Sequence, residues 1–251
     1  MTTTRLLVSV RSAAEAADAL AGGAELIDVK EPNAGPLGPA SPQTVAQVLA
    51  AVRNRAPISV ALGELRCFKQ NLATNLSGVR YAKLGLAGCG GWIDWPTAWR
   101  QAITNFPPTC EPVAVVYADW RAAQAPKPEE ILDEAEQAAC RFVLVDTFDK
   151  SRGGLLAHWS AERLAEFANR VHRGGMSLVL AGSLQLADLS QVVAYQPAYV
   201  AVRGAVCRRG RTASLDRFLV EAMSARLASL SRAVLAQPSR PGQSQREIVS
   251  F

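Results

Sequence analysis

Residues 6–30 read LLVSVRSAAEAADALAGGAELIDVK, and this stretch holds the pattern that decides the fold. Two short runs rich in Val, Leu and Ile, 6–10 and 26–30, enclose a helical segment that ends in a pair of glycines. Ser12 is placed to cap the helix, because a serine side chain accepts a hydrogen bond from an N–H group of the first turn. A strand, a helix and a second strand in this order form the unit from which parallel sheets are built.

The same alternation of short apolar runs and helical segments continues along the chain. A second helix is predicted after Ser41, with Pro42 in its first turn. Eight strands are predicted, at 6–10, 26–30, 58–62, 81–86, 113–117, 142–146, 177–181 and 199–203. Eight strands with helices between them favour a closed barrel, because closure leaves no strand edge unpaired, and barrels of this kind need about 250 residues. We predict an α/β fold, a single (β/α)8 TIM barrel with a parallel eight-stranded core.

The barrel is expected to fill residues 1–236, with a last helix over 216–236. The segment 237–251, QPSRPGQSQREIVSF, is polar and contains prolines, so we expect a flexible C-terminal tail. No apolar run approaches the roughly 18–20 residues that a membrane-spanning helix needs. The N-terminus leads directly into the first strand, so we expect a cytoplasmic protein with no cleaved segment and no membrane partner.

Charge, cysteine content and histidine content restrict the partners and metals that the protein could bind. The net charge is +5, but the arginines are scattered except in 208–211, so we expect a basic surface and no nucleic-acid partner. The cluster 208–211 is a candidate for contact with a second phosphate. The five cysteines are widely spaced without a CxxC pair, which indicates reduced, mostly buried thiols. His158 and His172 are the two histidines, so a histidine-rich metal site cannot be assembled and no metal is expected.

Polar side chains close several predicted strands, at the end of a barrel where active sites form. Strand 2 ends in LIDVK, so Asp28 and Lys30 share one face of the strand. Lys83 lies in strand 4, Asp146 ends strand 6, and Lys150 follows it. If the shared face points into the barrel, a carboxylate lies beside an amine at the mouth.

Lysine is used sparingly: the chain has five lysines among its 27 basic residues. Three of them, Lys30, Lys83 and Lys150, lie on or just after strands. Arginine stays protonated, whereas a partly buried lysine can lose its proton and attack a carbonyl carbon. Neighbouring cations would lower one another's pKa, so the pattern predicts an imine-forming lysine. The alternative is that these lysines form structural ion pairs with Asp28 and Asp146, although buried ion pairs add little net stability.

A second group of residues follows strands 7 and 8, where barrels commonly bind phosphate. In the sequences LAGSL and VRGAV, Gly182 and Gly204 would let backbone N–H groups approach phosphate oxygens. Ser183 is expected to open the next helix at its positive end, and Arg203 to add a charge-assisted contact. The alternative is that the small residues only allow tight turns.

Five segments resemble the (5-formylfuran-3-yl)methyl phosphate synthase family: IDVKEPNAGPLGPA (27–40), YAKLGLAG (81–88), VLVDTFDK (143–150), LAGSL (180–184) and VRGAVC (202–207). The resemblance implies a lyase of methanofuran biosynthesis that condenses two glyceraldehyde 3-phosphate molecules, with loss of phosphate and water. It implies no metal or organic cofactor. It also implies that Lys30 forms the Schiff base, that Lys83 accepts a proton, and that Asp28, Asp146 and Lys150 complete the site.

Two other functions stay open on the sequence. Another imine-forming barrel, an aldolase or transaldolase acting on a sugar phosphate, would use the same Lys30 but release an open-chain product. A non-catalytic barrel would use the lysines only to neutralise bound phosphate. The expected partner in every case is a small phosphorylated molecule such as a triose phosphate, and a homo-oligomer is possible.

Overall fold

A computed structural model describes residues 3–68 and 76–235 of the chain. Its strands close into a parallel barrel in sequence order, each paired with its neighbours and β8 paired with β1. The strands are β1 (Arg5–Val10), β2 (Leu26–Val29), β3 (Ile58–Glu64), β4 (Tyr81–Gly85), β5 (Glu111–Tyr117), β6 (Phe142–Asp146), β7 (Ser177–Leu180) and β8 (Tyr199–Val202). The predicted barrel and all eight predicted strands are confirmed, with ends that differ by at most two residues.

Helices cover the outside of this barrel. They are α1 (Ala13–Ala21), α2 (Pro42–Val52), α3 (Trp95–Thr104), α4 (Pro128–Gln137), α5 (Leu155–His158), α6 (Ala161–Arg173), α7 (Leu189–Val192) and α8 (Arg217–Leu235). The predicted caps are confirmed, since Ser12 accepts from the N–H of Glu15 and Ser41 from that of Thr44. None of these helices is long and apolar enough to cross a membrane.

Several connections differ from the simple pattern of one helix between two strands, and the one from β6 to β7 holds both α5 and α6. The β3–β4 connection begins with a 3-10 turn, Leu65–Cys67, and then enters residues that the structure does not describe. The β7–β8 connection holds only the short α7 between two 3-10 turns, Leu186–Asp188 and Val193–Tyr195. The predicted tail, 237–251, lies outside the described residues.

Apolar side chains fill both sides of the barrel wall. One cluster packs the outward faces of the strands against the helices, as Val8 and Val200 do. The other fills the interior and includes Leu7, Val115 and Leu144. Because side chains alternate along a strand, the interior residues repeat at every second position. The lower interior is therefore a packed core, and the polar residues lie above it.

Strand register sets the polar layer at the carboxyl ends of the strands. Ser9, Asp28 and Ser59 are direct neighbours on β1, β2 and β3, and Tyr117 is the neighbour of Asp146 on β5 and β6. All five side chains are buried or lie at the floor of the mouth. A set of hydroxyl and carboxyl groups thus lies directly above an apolar core.

The end of β3 departs from this regular register. The pairing of β3 with β4 shifts between Ala61 and Glu64, so β3 contains one extra residue there. Gly63, inside the shift, has a φ of 86°, a left-handed conformation that glycine adopts without steric cost. A β-bulge turns the following side chain to a new direction. It turns Glu64 toward Tyr117, whose hydroxyl group donates to the Glu64 carboxylate at 2.6 Å.

Candidate active site

A cavity of about 240 Å³ opens at the carboxyl ends of the strands. Its wall includes all nine residues that the sequence nominated: Asp28, Lys30, Lys83, Asp146, Lys150, Gly182, Ser183, Arg203 and Gly204. The amine and carboxylate groups come from β2, β4 and β6 and the segments after β2 and β6, and the loops after β7 and β8 complete the wall. The same cavity therefore contains potential acid–base groups and a candidate anion site.

The Asp28 carboxylate is the centre of one hydrogen-bonded cluster. It accepts the Lys83 ammonium group in an ion pair, and also hydrogen bonds from Ser9 Oγ at 2.9 Å and Ser59 Oγ at 3.0 Å. Burial alone would raise the pKa of Asp28, but the positive charges of Lys83 and Lys30 outweigh burial and hold the pKa below its ordinary value. Asp28 is therefore ionised at neutral pH and keeps Lys83 in place.

The Asp146 carboxylate forms a second, parallel cluster. It accepts the Lys150 ammonium group and the backbone N–H of Thr147 at 2.8 Å. Lys150 also donates to Thr147 Oγ1 at 2.9 Å. Burial would raise the pKa of Asp146, but Lys150 and Lys30 lower it by a larger amount. Lys150 therefore lies at the cavity beside Asp146, and its role in the reaction stays a prediction.

Lys30 differs from these two lysines because it forms no ion pair with any residue that the structure describes. β2 ends at Val29, one residue earlier than predicted, yet the backbone N–H of Lys30 still donates to Val10 at 3.1 Å and continues the ladder. Among the described lysines, Lys83, Lys127 and Lys150 each form an ion pair, and Lys30 forms none. Its amine lies among two carboxylates that are already paired with other cations.

The pKa of Lys30 follows from this position. The net effect lowers the pKa of Lys30 to about 8: burial is the largest cause, Asp146 and Asp28 oppose it, and Lys83 and Lys150 add to it. Roughly one Lys30 amine in ten is then uncharged at pH 7, against fewer than one in a thousand for an ordinary lysine. An uncharged amine that lines a cavity large enough for a small carbonyl compound can form an imine.

The loops after β7 and β8 also line the cavity. Gly182 and Ser183 both adopt left-handed backbone, with φ of 95° and 56°. The backbone N–H groups of Gly182, Ser183 and Gly204 donate to no acceptor within the described parts of the chain. Backbone N–H groups that line a cavity in this way can bind an anion.

One expectation about Ser183 is wrong. The segment after it is irregular, with a 3-10 turn that begins only at Leu186 and α7 only at Leu189. Ser183 therefore does not open a helix, and a helix dipole does not contribute at this residue. The sequence SLQLADLS suggested a cap because serine is common there, but its left-handed backbone belongs to a tight turn.

The expected role of Arg203 is also wrong. Its Nη1 and Nη2 atoms hold both carboxylate oxygens of Glu15, at 2.6 and 3.1 Å. The remaining N–H groups donate to the carbonyl oxygens of Ser9, Arg211 and Ala213 at 2.8–3.0 Å. A guanidinium group has five N–H donors, so all of them are used. Arg203 joins β1, α1 and the 211–213 segment, and no donor remains for phosphate.

Within the 208–211 cluster, the arginine at the cavity is Arg211, which the sequence analysis did not distinguish from its neighbours. It lines the cavity, and its Nη2 donates to the carbonyl oxygens of Pro32 and Gly35 at 3.2 and 3.1 Å. Its Nε and Nη1 atoms have no acceptor among the described residues. Arg208, by contrast, is largely exposed and pairs with Asp216. The cluster therefore contributes one arginine, held by the β2 loop, to the cavity.

The cysteines and histidines lie away from this chemistry. All five thiols are free; Cys67 is exposed, and the other four are buried. Burial raises the pKa of Cys110 and Cys140 to about 12, so these thiols stay protonated. The residues that the structure describes contain no group of three or more His, Cys, Asp or Glu side chains arranged to hold a metal ion.

Comparison with known proteins gives one consistent result. A family model described as 4-HFC-P synthase matches residues 6–224. A protein of Methanosarcina barkeri named (5-formylfuran-3-yl)methyl phosphate synthase is 31% identical over 88% of this chain and 98% of its own length. One of the same name from Methanopyrus kandleri is 33% identical over 82% of this chain and 90% of its own length.

Solved structures support the fold. Phosphoribosyl anthranilate isomerase of Thermus thermophilus superposes with a TM-score of 0.62 at 17% identity, over 90% of this chain and all of that one. Thiamine phosphate pyrophosphorylase of Pyrococcus furiosus gives 0.60 at 16% identity, over 90% of this chain and 96% of that one. At these identities the likeness extends to the barrel alone. The family model and the named relatives, which span nearly the whole barrel, show that the chain belongs to the 4-HFC-P synthase family of enzymes.

Proposed function

We propose that this protein is a (5-formylfuran-3-yl)methyl phosphate synthase. It condenses two molecules of glyceraldehyde 3-phosphate through a Schiff base on Lys30, as a cytoplasmic lyase of methanofuran-type cofactor biosynthesis that needs no metal or organic cofactor. Family membership supports the reaction, because the relatives carry this name. The resemblance of the segments around Lys30 and Lys83 supports the choice of substrate.

The observation that carries the proposal is the amine of Lys30, which lies at the cavity and forms no ion pair in the described part of the chain. A barrel that only neutralised phosphate would gain from fully charged lysines, whereas the pKa of Lys30 is lowered to about 8 by burial and by its neighbouring cations. Asp28 and Asp146 each form an ion pair with another lysine, and their charges offset the effect of burial on Lys30 only in part. The arrangement suits a nucleophile better than a counter-ion.

The first steps follow from this amine. Lys30 attacks the aldehyde carbon of one triose, water leaves, and the protonated imine withdraws electrons from the adjacent carbon. A proton leaves that carbon and gives an enamine, which attacks the aldehyde of the second triose. Lys83 receives the proton as it passes its own to Asp28, since the two groups share a direct hydrogen bond.

The remaining steps balance without an oxidant or a reductant. Two trioses supply six carbons and two phosphates, and the furan keeps all six carbons and one phosphate. One phosphate and two water molecules therefore leave. The retained phosphate fits the wall formed by the backbone at Gly182, Ser183 and Gly204, with Arg211 as its charge-assisted donor.

Product analysis tests this proposal. Purified protein is incubated with glyceraldehyde 3-phosphate, and the furan aldehyde is followed by its ultraviolet absorbance and by mass spectrometry. The proposal predicts a six-carbon furan phosphate together with one inorganic phosphate per furan. An open-chain six-carbon sugar phosphate without phosphate release would instead identify an aldolase, and no product at all would leave only a phosphate-binding barrel.

A further inference from the structure

A second pair of polar groups lies at the barrel mouth, beside the lysine clusters. Glu64 Oε1 accepts the hydroxyl hydrogen of Tyr117 at 2.6 Å, and Glu64 Oε2 accepts the backbone N–H of Ala87 at 2.8 Å. Among the described residues, no lysine, arginine or histidine pairs with Glu64. Its partners are therefore neutral donors, unlike those of Asp28 and Asp146.

The backbone is shaped to allow this contact. The bulge at Gly63 turns Glu64 toward the interior, and the carboxyl group then reaches over β4 to β5. Gly85 lies on β4 beneath it, and a Cβ atom there would overlap the Glu64 carboxyl group and lie 2.5 Å from the Tyr117 hydroxyl. The bulge interrupts the hydrogen-bond ladder of β3, and a glycine within β4 weakens that strand. Both features make room for the Glu64 carboxyl group, which is consistent with a functional role for Glu64.

Electrostatics makes Glu64 different from the other acids of the mouth. Burial raises its pKa above the ordinary value, and the negative charge of Asp146 raises it further, while Tyr117 and Ala87 lower it only in part. The pKa of Tyr117 lies well above its ordinary value through burial and the adjacent Glu64. The same mouth therefore combines two carboxyl groups whose pKa is lowered, Asp28 and Asp146, with one whose pKa is raised, Glu64. Paired acids with opposite pKa shifts commonly divide into base and acid.

We propose that Glu64, oriented by Tyr117, is the general acid that protonates the departing hydroxyl group when water is eliminated during furan formation. The inference rests on the proposed function, which requires loss of water. In this step the C–O bond breaks and the oxygen leaves as water with the proton of Glu64. The neighbouring C–H bond breaks, its electrons form the C=C bond, and its proton returns to the Glu64 carboxylate. No atom or electron is left over.

The pair adjoins the cavity through Asp146, whose charge acts on Glu64. Tyr117 and Asp146 are neighbours in register, and Asp146 lines the cavity beside Lys30. Glu64 is partly exposed rather than sealed in the core. The lysines at the mouth are less suitable acids, because Lys83 and Lys150 are tied to carboxylates and Lys30 carries the substrate.

The test compares Glu64→Gln with wild type. Glutamine can accept from Ala87 and donate to the Tyr117 oxygen, so it keeps both hydrogen bonds but has no acidic proton. We expect furan formation to fall at least about 100-fold, the usual scale for general acid catalysis. Borohydride trapping on Lys30 should persist, with a condensed six-carbon adduct in place of the released product. Glu64→Asp, which keeps an acid, should recover part of the rate.

Glu111→Gln is the matched control, because Glu111 lies at the opposite, amino end of β5 and pairs with Arg80 and Arg141. Furan formation at the wild-type rate in Glu64→Gln would overturn the inference. Parallel loss of trapping and thermal stability in that variant would also overturn it, by showing a structural brace. A wild-type protein that traps triose but makes no furan would instead overturn the proposed function, and this inference with it.

Discussion

The carboxylate of Asp28 and the ammonium group of Lys83 form an ion pair whose side chains are 1% and 4% exposed. The two residues lie 55 positions apart and meet because β2, β3 and β4 are adjacent in the barrel. Asp28 pairs with Lys83, and the amine of Lys30, two residues further along the chain, forms no ion pair within residues 3–68 and 76–235. One pairing thus determines the chemistry of its neighbour.

Asp28→Asn should destabilise the protein strongly. The change leaves the buried Lys83 charge uncompensated, and breaking one side of a buried pair costs about 3–5 kcal/mol. Denaturant unfolding at pH 7 measures this as a lower free energy of unfolding. The double variant Asp28→Asn/Lys83→Met should recover much of the loss, and no recovery would show that Asp28 is needed for another reason.

Lys30→Met should be more stable than wild type at pH 7, by about 1–3 kcal/mol after allowance for the partial exposure of the amine. The folded pKa of about 8 lies below the ordinary 10.5, so folding disfavours the ammonium form. The full cost applies below pH 8 and fades as pH rises toward 10.5. The difference in free energy of unfolding between the two proteins should therefore be smaller at pH 10 than at pH 7. An equal difference at both pH values would contradict the lowered pKa.

Activity should rise with pH through the titration of Lys30. The amine attacks only when uncharged, so kcat/KM should increase about tenfold per pH unit below about pH 8 and level off above it. Initial rates of furan formation between pH 6 and pH 9 measure this profile. A rate that falls across this range would exclude Lys30 as the limiting nucleophile.

Substitution of Arg211 should mainly weaken phosphate binding, whereas substitution of Arg203 should mainly lower stability. Arg211→Met should weaken binding of inorganic phosphate about 10–100-fold, measured by calorimetry, with a small change in thermal stability. Arg203→Met should lower the free energy of unfolding by several kcal/mol, because Glu15 and three carbonyl oxygens lose their donor. Equal effects of the two changes on phosphate binding would contradict this assignment.

The barrel and the lysine side of the site could be predicted from sequence because both depend on local pattern. The strand LIDVK carries its own periodicity, which places Asp28 and Lys30 on one face whatever surrounds them. The pairing of each carboxylate with a different lysine could not be predicted, since it depends on contacts between separate strands. Arg203 was misassigned for the same reason: its partner Glu15 lies 188 residues away.

Glu64 and Tyr117 could not be predicted from the sequence for a different reason. A regular β3 that carries Ala61 and Gly63 on its inner face would direct Glu64 outward. Only the bulge at Gly63 reverses that direction, and a single glycine in a strand is a weak signal. Arg211 likewise lies in an irregular segment whose path no periodicity sets.

The central claim is that Lys30 forms the imine, and trapping tests it most directly. Wild type, Lys30→Arg and Lys127→Arg are each incubated with glyceraldehyde 3-phosphate and borohydride, and intact masses are measured. Lys127 is an exposed lysine paired with Glu130 and serves as the control. We expect a triose adduct on wild type and Lys127→Arg, located to Lys30 by peptide mapping, and none on Lys30→Arg. An adduct that persists in Lys30→Arg, or is absent from wild type, would contradict the account.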